Sequence, residues 1–271
     1  MTPRRAAGLL AILLSAACAT VAAPAARVQI EELTWPELRD RIAGGAKTVL
    51  IPIGGTEQNG PHMALGKHNL RGRLLAVRIA EKLGDALVAP VLAYVPEGTI
   101  APATHHMRWP GTITVPEPVF EATLVSAARG FRSNGFCHVV LLGEHGGYRA
   151  SLDKVAAALN RESKAAPNCR VLPLPEYYRA SQEGFAAILK ARGYADAEIG
   201  SHAGLADTSL MLALDPSLVR LDIAASRSPG SSGDGVAGDP KRASAEVGRL
   251  GVEHIVEATV AAIRVGTRAA P

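Results

Sequence analysis

Four short apolar runs, at 48–53, 86–92, 139–142 and 170–174, are separated by stretches with helical spacing. Runs of this length, bounded by glycine and proline, read as buried strands. Helices are expected at 31–43, 69–83, 116–134, 149–161, 177–192 and 243–265, with one more that opens within 201–209 and runs through Leu214. Gly84 and Gly135 stop the second and third. Strands alternating with helices predict a layered α/β fold with a mainly parallel central sheet.

The polar residues gather where those runs end. The run Thr48–Ile53 closes on Gly54-Gly55, and Glu57, Asn59, His62 and His68 follow, with Pro61 stiffening the loop. The run 139–142 leads into Gly143-Glu144-His145-Gly146-Gly147. His202 and Asp207 lie in the segment 201–209, and the long loop 97–115 carries His105, His106, Arg108 and Trp109. Loops this long inside a domain are usually functional. Strand ends of a parallel sheet converge on one side, so these groups are expected to meet.

Imidazole nitrogen and carboxylate oxygen together suit zinc, manganese or a related divalent ion. Such an ion acidifies water and polarises an amide carbonyl, and a separate histidine moves a proton to the leaving nitrogen. Ordinary roles stay open for each residue. His62 reads better as a brace than as a ligand, and Asp207 is either a ligand or a carboxylate favoured at a helix N-terminus. Glu144 is either solvent-exposed or an acid–base group. Lys67 beside His68 marks a surface loop.

Lys+Arg number 29 against Asp+Glu 25, with aromatics at 4%, which argues against a nucleic-acid partner. Arg4-Arg5 followed by the apolar stretch 6–17 reads as an export signal ending near residue 25, with a single domain from 27 to 271. Two exits are open: cleavage after Ala23-Pro24-Ala25, or a lipoprotein signal with Cys18 acylated as the one membrane anchor. Either places the protein in a periplasm or outside the cell. Past the signal only Cys137 and Cys169 remain, each at the head of a strand-like run. In an oxidising compartment they either form a disulfide or stand as small buried residues. The segment 226–238, rich in Gly and Ser, reads as an exposed, mobile loop.

Five stretches in order are similar to the creatininase (creatinine amidohydrolase) family. They are Gly55-Thr-Glu-Gln-Asn-Gly-Pro-His62, His106-Met-Arg-Trp-Pro-Gly-Thr-Ile113, His145-Gly-Gly147, His202-Ala-Gly-Leu-Ala-Asp-Thr-Ser209 and Gly238-Asp-Pro-Lys-Arg-Ala-Ser-Ala-Glu246. The resemblance runs from about Leu33 to Arg264. It implies a three-layer α/β/α enzyme, often hexameric, that hydrolyses cyclic or linear amides with a divalent-metal pair. By position, Glu57 and His145 match expected ligands. Asn59 stands where a ligating His is usual, and His68 where a bridging Asp is usual. Asp207 stands where a ligating Glu is usual, and His202 matches a histidine near the substrate.

The expectation is an exported, metal-dependent hydrolase of a C–N bond in a small-molecule amide or cyclic amide. The metal, zinc or manganese and one ion or two, is expected on Glu57, His68, His145 and Asp207. His202, His106 and Glu144 are the candidate catalytic groups. Asn59, His62, Arg108 and Trp109 are placed around the substrate. The rival is a non-catalytic small-molecule-binding protein on the same fold with a degraded metal site.

Overall fold

The computed structural model of the protein describes residues 27–162, 168–227 and 233–268. The export signal expected at 1–25, Cys18 included, lies outside the described residues.

Thr34 opens the first helix, α1 (Trp35–Ala43), its amide donating to the Glu37 carboxylate at 2.7 Å. The chain then enters β1 (Thr48–Ile53), buried at every residue, as a strand covered on both faces must be. Next come α2 (Lys67–Leu83), β2 (Ala86–Val88), α3 (Glu117–Ser133), β3 (His138–Gly143), α4 (Arg149–Glu162) and β4 (Val171–Leu172). Gly84 closes α2 at φ 85°, a left-handed conformation that suits glycine. The strands pair in parallel in the order β2-β1-β3-β4.

Beyond the sheet, α5 (Pro175–Arg179) passes through a π turn at Ala180–Gly184 into α6 (Phe185–Lys190). Then follow α7 (Asp196–Ile199), α8 (Leu205–Leu214), α9 (Leu221–Ser226) and α10 (Ala245–Gly266). α2 packs on β1 and β2 and carries α10, whereas α3 and α4 pack together on β3. Helices thus flank the sheet in the expected three-layer α/β/α arrangement. α10 crosses α8 closely: a β-carbon at Gly248 would collide with the Ser209 carbonyl oxygen.

Both edge strands are shorter than their apolar runs. Pro90 and Pro173 lack an amide donor and end the ladders early, although Leu92 still bridges to Ile53. Neighbouring β3 and β4 bring Cys137 and Cys169 together in a disulfide with the Cα atoms 4.6 Å apart. The described part of segment 226–238 departs from the expected exposed loop. Arg227 is buried and pairs with Asp234 at 2.7 Å, holding the segment against the domain.

β1 and β3 are adjacent, and β2 and β4 lie on opposite sides of them. The crevice between their C-terminal ends is where such sheets accept ligands. There the Glu144 amide donates to the Ile53 carbonyl at 3.0 Å, setting the two loops side by side.

Candidate metal centre

The loop after β1 is held from within. Gly55 has φ 152°, and a β-carbon there would stand 2.5 Å from Glu97 Oε1, so the backbone passes only as glycine. The Asn59 amide donates to the carbonyls of Glu57 at 2.9 Å and Ala64 at 3.2 Å, closing the loop on itself. His62 Nε2 lies 3.0 Å from Thr208 Oγ1, which ties the loop to α8. Tyr148 pins the other side: its hydroxyl donates to the Ile53 carbonyl at 2.7 Å and accepts from the amides of Glu144 and His145, each at 3.0 Å.

This scaffold presents Glu57, fully buried, to three histidines. Oε1 lies 2.8 Å from His68 Nε2. Oε2 accepts no hydrogen bond and lies 3.3 Å from His106 Nε2 and 4.0 Å from His145 Nε2. One ligand atom each from Glu57, His106 and His145 lies within 4.8 Å of the others. Ligand atoms around a tetrahedral zinc stand roughly 3.4 Å apart, given bonds of about 2.1 Å. An orphaned buried carboxylate oxygen between two imidazole nitrogens therefore fits one divalent ion.

The electrostatics agree. Burial lowers the pKa of His145 to about 4 and also lowers that of His106, so both rings are neutral at pH 7. Burial opposes ionisation of Glu57, but the charges of His68 and Lys67 outweigh it and hold its pKa well below the carboxylate range. The Gly147 amide donates to His145 Nδ1 at 3.0 Å, which puts that ring's proton on Nε2. A divalent ion held at Nε2 would need the proton on Nδ1 instead, in place of this cap.

Other sequence candidates are placed differently. His68 reaches Glu57 with Nε2 and Glu144 with Nδ1, at 3.3 Å, so neither nitrogen faces open space. Asp207 is buried, with Oδ2 held by Lys67 at 2.9 Å and Oδ1 by Arg71 at 2.7 Å. Glu144 is buried, not solvent-exposed, and is bonded by Arg71 and by the Tyr177 hydroxyl. Burial would keep Glu144 protonated, but Arg71 and His68 bring its pKa down to about 2, so it stays ionised and has no proton to give. His106, expected among the catalytic groups, stands in the candidate ligand set. His202 lies at its edge, with Nδ1 3.8 Å from Glu57 Oε1 and Nε2 2.9 Å from the Gln58 carbonyl.

A cleft of about 320 Å³ opens over the cluster, lined by Glu97, Gly98, His105, His106, Glu117 and His145 among others. Arg108 is exposed and Trp109 half-buried, and neither lines it. The Trp109 ring stands 6.5 Å from that of His106.

Sequence reasoning missed Glu97, Lys67, Arg71 and Gln58. Glu97 is buried beside Glu57, with which its carboxyl shares a hydrogen bond. Burial and the neighbouring Glu57 charge raise its pKa to about 9, so it carries a proton at neutral pH. Lys67, expected at a surface, is 1% exposed. A usable signal was the spacing of Lys67 and Arg71, which shares one helix face and matches two buried carboxylates. The Gln58 amide meets His106 Nδ1 at 2.9 Å and the Gly235 carbonyl at 3.1 Å, a contact that no local pattern announces.

A family model described as creatininase, creatinine amidohydrolase, matches residues 31–263. The chain belongs to the creatininase family. It is 30% identical over 256 residues to the creatinine amidohydrolase of Pseudomonas putida, covering 88% of this chain and 96% of that protein. It is 27% identical over 203 residues to the 3-dehydro-scyllo-inosose hydrolase of Thermotoga maritima, covering 74% and 61% respectively. A solved creatininase described as the Mn form and a creatininase mutant described as the Zn-Zn type superpose with TM-scores of 0.74 and 0.72. Each is 28% identical and covers 90% of this chain and 100% of its own. As a member of this family, the chain is a metal-dependent amidohydrolase with a three-residue candidate site at Glu57, His106 and His145.

Proposed function

We propose that this creatininase-family enzyme hydrolyses a C–N bond in a small amide or cyclic amide, outside the cytoplasm. The carrying observation is the convergence of the unpartnered Glu57 Oε2 with His106 and His145 beneath an open cleft. Glu57, His106 and His145 would hold a zinc or manganese ion, which when bound polarises a carbonyl and acidifies water.

The protein supplies the rest. The cleft admits a small molecule next to the cluster. His202, lowered to about 3 by burial and by Lys67, is neutral at pH 7 and offers Nδ1 on the cluster side as a proton acceptor. The oxygen of water bonds to the carbonyl carbon, the C–N bond breaks, and the proton held at Nδ1 passes to the leaving nitrogen. Glu97 lines the same cleft and turns its protonated carboxyl to the Glu57 carboxylate. His62 and Asn59 keep the Glu57 loop in place.

Export rests on the signal-like pattern at 1–25 and is supported by the Cys137–Cys169 disulfide, which oxidising compartments permit. Among the described residues no helix is long and apolar enough to cross a membrane. A Cys18 lipid and a homo-oligomer, a hexamer by resemblance, belong to the same reading.

Two experiments test it. Purified protein loaded with Zn²⁺ or Mn²⁺ is assayed on a panel of small amides and lactams beside Glu57→Gln. Turnover by the native chain alone is expected, whereas ligand binding without turnover would favour the rival binding protein. Fractionation of cells carrying the native chain and Cys18→Ser, with light scattering of the purified protein, reads location, lipid and assembly together.

A further inference from the structure

The acids behind the candidate ligands are already matched by cations of the protein itself. Lys67 and Arg71 are each 1% exposed. Arg71 spans Glu144 and Asp207, and Lys67 holds the second oxygen of Asp207. His68 joins this block to Glu57 Oε1 at 2.8 Å. A carboxylate joins two metal ions by giving one oxygen to each, and here one oxygen of Glu57 is taken.

Charge balance points the same way. Buried ions persist only where they are compensated. Glu57, Glu144 and Asp207 bring three negative charges, and Lys67, Arg71 and His68, which stands between Glu57 and Glu144, return three, so the protein's own cations already match its acids. One divalent ion leaves two positive charges, suited to an oxygen that becomes negative during hydrolysis. A second ion would leave four positive charges in a buried pocket. The creatininase mutant described as the Zn-Zn type differs in kind.

We propose that Lys67, held in place with Arg71 by Asp207 and Glu144, substitutes for a second metal ion, so that this centre takes a single divalent ion. The inference rests on the metal-dependent reading above and narrows it. Lys67 is a positioning and charge-balancing residue, not a ligand and not a proton carrier.

The test is the metal content at saturation. The full chain, Lys67→Ala and Lys67→Arg are titrated separately with Zn²⁺ and Mn²⁺, and bound metal is counted by mass spectrometry of the native protein. Anomalous diffraction from crystals of the loaded protein then places each ion. The native chain is expected to saturate at one ion, on Glu57, His106 and His145. Lys67→Arg keeps the charge and stays at one. Lys67→Ala removes the cation from Asp207 Oδ2, while Arg71 still holds Oδ1, and removes the repulsion, so its content rises towards two. Two ions in the native pocket overturn the substitution while leaving the metal-dependent reading intact. No ion in the native pocket overturns that reading as well. Folded Lys67→Ala that still stops at one shows that Lys67 does not exclude the second ion. If Lys67→Ala does not fold, the native count still decides between one ion and two.

Discussion

His68 Nε2 stands 2.8 Å from Glu57 Oε1 while its Nδ1 stands 3.3 Å from Glu144 Oε2, so one imidazole ties the loop after β1 to the loop after β3. His68→Ala leaves a buried carboxylate oxygen of Glu57 without its partner. Hydrogen bonds to charged groups contribute about 1.5–3 kcal/mol, so a loss of about 2 kcal/mol is expected in urea unfolding of the metal-free protein. A change below about 0.5 kcal/mol, the level of an ordinary surface substitution, would show that the tie carries no stability.

Glu57→Gln keeps the shape of the side chain and removes its charge. Metal affinity, read by calorimetry with Zn²⁺, is expected to fall by roughly 100-fold, the upper range for losing even an outer partner of a metal site. His145→Ala should do the same. His62→Ala loses a brace to Thr208, so it should lower stability while leaving the number of bound ions unchanged. Loss of the ion in His62→Ala with the fold intact would make His62 a ligand.

The metal-free protein should be most stable near pH 6.5. Burial holds His62 and His145 at about 4 and His202 at about 3, against about 6.5 in the unfolded chain. Between those values the unfolded chain binds more protons, so stability is present above pH 6.5 and is lost as pH falls towards 4. Glu97 works in the opposite sense. Its folded value of about 9 exceeds its unfolded value of 4.5, so its contribution is full below 4.5 and is lost as pH rises towards 9. Melting temperatures across pH 4–9 check both limbs, and Glu97→Gln should flatten the alkaline one. An alkaline limb unchanged in Glu97→Gln would assign that decline to another group.

The Cys137–Cys169 bond closes a loop of 32 residues, which by chain entropy stabilises the fold by roughly 3–4 kcal/mol. Replacing both by alanine should lower the melting point by about 10 °C, taking 2–4 °C per kcal/mol for a domain of this size. Thiol counting on protein recovered from the periplasm should find neither sulfur free. Two free thiols there would separate the bond from the proposed location.

Much of this architecture was legible in the residues. The run 48–53 coincides with β1 because an uninterrupted apolar stretch ended by two glycines has few other uses. The long helices appear within a few residues of their expected bounds for the same kind of reason: apolar periodicity and glycine stops are local signals. Pro90 and Pro173 were visible too, and they shorten the edge strands. The gathering of polar loops at the strand ends follows from a parallel sheet.

Which groups meet was a different matter. Glu57 and His145 could be picked out from position and type. The roles of His106, Lys67, Arg71 and Glu97 depend on distances between elements far apart in the chain. Arg71 reaches Glu144 and Asp207 from α2, across separations of 73 and 136 residues. Lys67 looked like a surface residue because a lone lysine usually is one. Only the packing of α2 under α8 supplies the buried carboxylate that makes its burial possible. The sequence by itself determined the elements, the parallel sheet and the edge at which chemistry gathers, because these follow from local periodicity and turn residues. The tertiary structure decided which carboxylate stays free for an ion and which are neutralised by the protein's own cations, because burial and charge pairing exist only once the elements are packed.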